Sequence, residues 1–221
     1  MRNTTYIVIE GSEGTGKSTQ VKILVETLRN MGFSVLETKE PGTDHAPLTM
    51  KLRGIMLDAK YEDQLTKEAR EMISQAIRSI HINKVIFPAM GKYDLIIQDR
   101  GILSGTAYGV ACDNPLEYIT YLSEKAIGEE GKQKGISIAN LYDHVILFKG
   151  NVKKGLDRAL SAKQEFETGD AMENKGISFL EKVNNNFDDH SKLFQRVSVI
   201  EVEGKSIEQV SKELLEILDI A

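Results

Sequence analysis

The 221-residue chain has one cysteine, four prolines and only 6% aromatic residues. With Cys112 alone, no internal disulfide can form, and we expect a reduced, cytoplasmic setting. No apolar run approaches the roughly 20 residues that span a bilayer, so we expect no membrane segment. The strand-like run at residues 6–10 lies close to the amino end, which predicts no signal peptide.

Positive charge is also scarce: 28 Lys and Arg stand against 33 Asp and Glu, a net charge of −5. A surface that follows polynucleotide phosphates needs a basic stripe, so we expect no nucleic-acid partner. A small anionic ligand needs only a local cluster of arginines, and the composition allows one. The length and the hydrophobic share of 41% fit a single domain, residues 1–221, with its own core.

Short apolar runs alternate with amphipathic segments along the chain. We predict strands at residues 6–10, 34–38, 94–98, 144–148 and 197–202. We predict helices at residues 17–31, 48–57, 63–90 with an interruption near Pro88, 115–127, 152–160, 174–194 and 207–218, and loops at residues 39–47 and 128–135. This pattern favours a three-layer α/β/α fold with a five-stranded parallel sheet, whose ligands bind at the carboxyl ends of the strands.

The segment GSEGTGKS at residues 11–18 fits the pattern G-x-x-x-x-G-K-[ST], between a predicted strand and a predicted helix. Its glycines let backbone N–H groups surround phosphates, Lys17 is placed to reach the β- and γ-phosphates, and the Ser18 hydroxyl to bind Mg²⁺. We therefore expect a fold of the P-loop NTPase type that binds ATP. The predicted ATP-binding residues are Gly11, Ser12, Glu13, Gly14, Thr15, Gly16, Lys17, Ser18 and Thr19.

Asp99 and Arg100 follow the predicted strand at residues 94–98, at the edge where the P-loop also lies. An aspartate there can hold Mg²⁺ or its water, and an arginine can neutralise a transferring phosphoryl group. An ordinary strand end with a surface arginine is the alternative. Glu10, directly before the loop, either orients a sugar hydroxyl or the metal shell, or caps the loop.

Arg53, Arg78 and Arg100 come from three separate predicted elements near the expected cleft. Each by itself is compatible with a solvated surface charge. Together they suit a second substrate that carries a phosphate.

The chain resembles the thymidylate kinase family, P-loop enzymes that transfer phosphate from ATP to dTMP. The opening YIVIEGSEGTGKST at residues 6–19 is similar to that family's start, and TKEPGT at residues 38–43 to its T-R-E-P-G-G-T loop. Leu52-Arg53 resembles its phosphate-contacting arginine. Asp99-Arg100 with Ser104, Ala107 and Tyr108 resembles D-R-Y-x-x-S-x-x-A-Y, and residues 155–158 resemble the G-L-x-R before its lid.

The resemblance implies an acceptor site and a catalytic set. Arg53 and Arg100 would hold the acceptor phosphate, Arg78 would approach phosphate or base, and Pro41 would shape the floor. Ser104 and Tyr108 would line the pocket, with Tyr108 beside the deoxyribose. The implied catalytic residues are Lys17, Arg100, Asp99 and Glu10, the implied substrate-binding residues also include Glu10 and Ser74, and the implied Mg²⁺ ligands are Ser18 and Asp99. A homodimer and a mobile lid at about residues 161–173 are also implied.

Several positions depart from the family pattern. Ser74 stands where the family has a phenylalanine that stacks on thymine, and Gly101, Lys39 and Thr43 replace its Tyr, Arg and second Gly. Neither the P-loop nor residues 171–173 carry the arginine that the family places in one of them. Arg158, Lys163 and Lys175 are the candidates to supply this charge, and Arg158 and Lys163 are assigned to the lid.

These departures keep two further functions open. One is a kinase for another deoxynucleoside monophosphate, dUMP or a modified pyrimidine, because Ser74 removes the stacking surface. The other is a nucleotide-binding switch module that has lost transfer. A P-loop ATPase acting on a macromolecule is disfavoured by the chain length and the acidic composition.

Overall fold

The computed structural model describes residues 4–162 and 171–219. Five parallel strands form one sheet in the order β2-β3-β1-β4-β5. The strands are β1 Thr5–Gly11, β2 Val35–Lys39, β3 Leu95–Asp99, β4 His144–Lys149 and β5 Val197–Glu201. The predicted α/β fold with five parallel strands is confirmed.

The helices of the described residues surround this sheet. They are α1 Lys17–Asn30, α2 Pro47–Leu57, α3 Lys67–His81, α4 Phe87–Ala89, α5 Ile102–Ala111, α6 Leu116–Gln133, α7 Val152–Ala162, α8 Ile177–Ser191 and α9 Ile207–Ile217. A π-helical turn, Ile82–Ile86, joins α3 to α4, so the predicted interruption falls just before Pro88, which has no N–H to donate. Within the described residues, no helix combines the length and the apolar character needed to cross a membrane.

Alternating side chains of the strands build two cores. Tyr6 and Val8 of β1 face a core shared with α2, α3, α5, α6 and α8. Ile7 and Ile9 face a second core, shared with α1 and α9. Each face of the sheet is therefore covered by helices, which gives the three predicted layers.

Three predictions of local structure were wrong. Helix α5 was not predicted, because Gly105 and Gly109 let it pack closely against α3 and leave it without an amphipathic pattern. Residues 128–133 are helical rather than loop: α6 breaks only at Gly128 (φ 78°) and continues with Gly131 buried. Helix α3 begins four residues later than predicted, where the Thr66 hydroxyl accepts a hydrogen bond from the Ala69 N–H at 3.1 Å.

The topology brings the ends of β1 and β3 together. Strand β3 lies between β1 and β2, and β4 lies on the other side of β1, so the chain leaves β1 at a switch point. Ile9 is in register with Asp99. The loop after β1 and the residues after β3 therefore share one cleft.

Candidate active site

The loop between β1 and α1 needs glycine at its turns. Gly11 has a φ of 139° and Gly14 a φ of 65°, which residues with a side chain rarely adopt. A Cβ on Gly14 would also overlap the carbonyl oxygen of Gly155 in α7. Helix α1 begins after Gly16, and no side chain caps it. The N–H groups of its first turn can therefore bind an anion.

Lys17 is folded back over this loop and is buried. Its Nζ donates to the carbonyl oxygen of Ser12 at 2.6 Å and to Oγ1 of Thr15 at 3.3 Å. Burial, and then the positive charge of Arg100, lower the pKa of Lys17 to about 8. A bound phosphate group would stabilise the charged ammonium again.

Ser18 and Asp99 form an oxygen-rich pair beside the loop. The Ser18 hydroxyl donates to Asp99 Oδ2 at 2.5 Å, while Asp99 Oδ1 is buried without a hydrogen-bond partner among the described residues. Mg²⁺ favours such oxygens together with nucleotide phosphates, so the pair fits this ion. The described residues contain no group of three or more His, Cys, Asp or Glu that could hold a metal ion.

Arg100 joins the end of β3 to the P-loop. Its Nη1 donates to the Gly11 carbonyl oxygen at 2.9 Å, and its Nη2 to Glu13 Oε1 at 2.7 Å. The guanidinium carbon lies 5.6 Å from the centre of the Tyr108 ring. Burial alone would lower the pKa of Arg100, but Glu13 and other neighbouring groups hold it above its ordinary value. A fixed positive charge therefore lies where the P-loop meets the residues that follow β3.

Glu10 is fully buried and bonded to α5. Its Oε1 accepts a hydrogen bond from the Ser104 N–H at 3.2 Å, and the Ser104 hydroxyl donates to its Oε2. Burial raises the pKa of Glu10. These contacts place Glu10 behind Ser104, where it fixes the position of that residue.

Arg78 belongs to a buried network at the end of β2. Its Nε donates to Glu40 Oε2 at 3.1 Å, its Nη1 to Ser123 Oγ at 3.3 Å and its Nη2 to the Gly101 carbonyl oxygen at 3.3 Å. His81 Nδ1 lies 2.9 Å from Glu40 Oε1. Burial alone would raise the pKa of Glu40, but Arg78 and His81 outweigh it and lower this pKa. All three nitrogens of Arg78 are thus engaged with the protein.

A cavity of about 320 Å³ runs from the P-loop along α3 and α5. The predicted acceptor residues that line it are Pro41, Arg53, Ser74, Arg78, Arg100, Ser104 and Tyr108. Arg53 Nη1 donates to the Pro41 carbonyl oxygen at 3.1 Å, and Tyr108 donates to Glu13 Oε1 at 3.2 Å. The tertiary structure therefore brings the two predicted halves of the site together.

The predicted lid at about residues 161–173 is only partly described, and Lys163 lies outside the described residues. Arg158 is exposed on α7, one turn after Gly155, and its Nε donates to the Lys154 carbonyl oxygen at 3.1 Å. Lys175 instead donates to Glu62 Oε1 at 2.7 Å, beside a second, neighbouring cavity. Of the two, Arg158 stands on the element that touches the P-loop.

Sequence analysis did not single out Glu71 and Asn114, which also line the cavity. Glu71 lies three residues before Ser74 and seven before Arg78, a spacing that puts all three on one helical face. That spacing could have identified Glu71. Asn114 follows α5, and without that helix nothing in the sequence placed it near the site.

Comparison with known proteins agrees with this geometry. The family model described as "Thymidylate kinase" matches residues 9–214. A thymidylate kinase of Caldicellulosiruptor saccharolyticus is 27% identical over 97% of this chain and 95% of its own length. Those of Geotalea daltonii and Campylobacter concisus are 32% and 31% identical, over 82% and 95% of this chain and 81% and 96% of their own lengths. With the P-loop, the Asp99-Arg100 strand end and the adjoining cavity in place, the chain belongs to the thymidylate kinase family.

Proposed function

We propose that this chain transfers the γ-phosphate of ATP to dTMP, giving ADP and dTDP. One observation carries the proposal: a single cavity leads from the P-loop to α3, with Arg100 bonded to the loop at their junction. Relatives named thymidylate kinase, which match over nearly the whole chain, support dTMP as the acceptor.

In this proposal ATP lies on residues 11–19, with its phosphates against the first turn of α1 and Lys17. Ser18 and Asp99 would hold Mg²⁺. When bound, the ion supplies positive charge to the phosphate oxygens. Arg158 is the candidate for the missing arginine, because its helix α7 touches this loop through Gly155.

The acceptor phosphate would lie between Arg53 and Arg100. One of its oxygens attacks the γ-phosphorus in line, and the bond between the γ-phosphorus and the β–γ bridging oxygen breaks. The electron pair leaves with ADP, and no covalent enzyme intermediate forms. Lys17 and Arg100 stabilise the charge that develops, so catalysis consists of positioning and charge neutralisation.

An ADP-release assay against dTMP, dUMP, dCMP, dGMP, dAMP and the ribonucleotides tests this proposal. We expect the highest kcat/KM with dTMP. A preference for dUMP, or for a modified pyrimidine deoxynucleotide added to the panel, would favour the alternative that Ser74 suggests. Slow ATP hydrolysis that no monophosphate accelerates would contradict transfer and favour the switch module.

We also propose a homodimer. Large apolar side chains are exposed on three neighbouring helices, with α3 in contact with α2 and α6. They are Leu48, Ile55, Met72 and Tyr121. Light scattering after size exclusion should give twice the chain mass of 24.6 kDa, and a monomer at assay concentration would contradict the dimer. We further propose a single domain, a cytoplasmic location, and no nucleic-acid or membrane partner, based on the length and composition. The lid at about residues 161–173 is proposed from the family resemblance.

A further inference from the structure

The far end of the cavity, away from the P-loop, is formed by α3 and α5. Helices α3 and α5 lie side by side here. A Cβ added to Gly105 would overlap the guanidinium of Arg78, and a Cβ added to Gly109 would lie 2.9 Å from Glu71 Oε2. Gly109 is one helical turn, about 6 Å, further from Arg100 than Gly105. A ligand whose phosphate meets Arg100 therefore extends along α5 toward Glu71.

Glu71 presents one carboxylate oxygen at this end. The residue is 5% exposed, and its Oε1 accepts a hydrogen bond from Gln75 Nε2 at 2.7 Å. Its Oε2 accepts no hydrogen bond from the described residues. Burial raises the pKa of Glu71, so a donor arriving at Oε2 would relieve the cost of desolvating the carboxylate.

Asn114 adds an independent observation. It lines the same cavity, and its Oδ1 is buried without a partner among the described residues. Its Nδ2 lies 3.4 Å from the Lys67 carbonyl oxygen. Buried polar atoms in folded proteins are nearly always hydrogen-bonded, so an acceptor without a partner on a residue that lines the cavity favours a ligand that brings a donor.

Among the described residues, no aromatic ring lines this end of the cavity for a base to stack on. Ser74 stands on the cavity-facing side of α3 between Glu71 and Arg78. Among the described lining residues the one aromatic ring is that of Tyr108, near Arg100. Discrimination among bases therefore falls to hydrogen bonds, and a site built on them rejects analogues that lack the matching group.

We propose that Glu71 determines base specificity: its free carboxylate oxygen accepts a hydrogen bond from the ring N3–H of a thymine or uracil. Asn114, which lines the same cavity, would offer a second acceptor. The inference rests on the proposed function, because it places the base of the monophosphate acceptor at this end of the cavity. The proposed hydrogen bond excludes cytosine as the base, because N3 of cytosine carries no hydrogen.

The test compares dTMP with N3-methyl-dTMP, in the wild type and in Glu71→Ala. A hydrogen bond to a charged group corresponds to about 10- to 100-fold. We expect N3-methylation to lower wild-type kcat/KM by this factor, mainly through KM. In Glu71→Ala, kcat/KM for dTMP should be lower than in the wild type by a similar factor. In that variant, N3-methylation should lower kcat/KM by less than about threefold.

Glu68 is an exposed carboxylate on the same helix, so Glu68→Ala is the matched control. It should keep the wild-type ratio of kcat/KM for dTMP to kcat/KM for N3-methyl-dTMP. Glu71→Met conserves volume without an acceptor oxygen and serves if Glu71→Ala unfolds. Equal wild-type use of the two nucleotides, or undiminished discrimination in both variants, would overturn the inference.

Calorimetric binding of the same two nucleotides separates this inference from the proposed function. Discrimination in binding that depends on Glu71, without any phosphate transfer, would contradict the kinase and support base recognition. Phosphate transfer to dTMP, together with equal binding of dTMP and N3-methyl-dTMP, would support the kinase and contradict base recognition by Glu71. Failure of the wild type to bind dTMP at millimolar concentration would overturn base recognition.

Discussion

Gly155 of α7 lies directly against Gly14 of the P-loop, so that a Cβ on Gly14 would overlap the Gly155 carbonyl oxygen. A Cβ on Gly155 would in turn overlap the carbonyl oxygen of Glu13. The helix that leads to the predicted lid is thus seated on the loop proposed to hold ATP. Any shift of α7 must displace that loop.

Gly155→Ala should therefore weaken ATP binding. Overpacking of this kind costs about 1–3 kcal/mol, equivalent to roughly 5- to 150-fold in affinity if it falls on the loop. Calorimetric titration with ATP measures the effect. Gly54→Ala is the control, because its Cβ would meet nothing within 4 Å. Equal ATP affinity in both variants would show that α7 does not set the loop position.

Loss of the Arg100 guanidinium should reduce turnover at least about tenfold, because its charge lies at the junction of the P-loop and the acceptor cavity. ATP binding should stay largely intact, because Lys17 and the first turn of α1 remain in place. Arg100 has a φ of 62°, so Arg100→Asn, which tolerates positive φ, is a better variant than Arg100→Ala. Steady-state kinetics with dTMP and direct ATP titration provide the two measurements. Unchanged turnover in both variants would remove Arg100 from the mechanism.

ATP binding should take up protons above pH 8. Lys17 has a pKa of about 8 in the folded protein, so it loses its charge as the pH rises through that value. A bound phosphate raises this pKa again, so at pH 8 binding should take up about half a proton. Calorimetry in buffers of different ionisation enthalpy measures the uptake. Lys17→Arg should abolish it, since arginine stays charged, and persistent uptake in that variant would assign the proton elsewhere.

The same pKa shift affects stability. Because the unfolded lysine binds more protons than the folded one between pH 8 and its ordinary value of 10.5, this group's contribution to the free energy of unfolding rises over that window.

Ser74→Phe should lower the KM for dTMP by about three- to tenfold. A ring at this position of α3 offers a face to the base, and an aromatic pair contributes about 0.5–1.5 kcal/mol. Lys22→Phe, on the exposed side of α1, adds a ring away from the cavity and should change nothing. A higher KM in Ser74→Phe would mean that the ring fills space that the base occupies.

Local patterns along the chain were enough to predict the sheet. All five strands lie within one residue of their predicted bounds, because short β-branched runs between helices leave few other arrangements. Helix α5 escaped prediction, since it is buried on most sides and its sequence therefore shows no amphipathic stripe. The same reason hid Asn114, whose position depends on where α5 ends.

The sequence by itself determined the P-loop and its neighbours at the strand ends. The spacing of Gly11, Lys17 and Ser18 is a local property of the chain, whereas the strand order β2-β3-β1-β4-β5 is visible only in the tertiary structure. Only the tertiary structure decided what the arginines do. Arg100 reaches the P-loop, whereas Arg78 is engaged by Glu40, Ser123 and Gly101. It also placed Glu71 at the far end of the cavity, because partners from distant parts of the chain meet only when the helices pack.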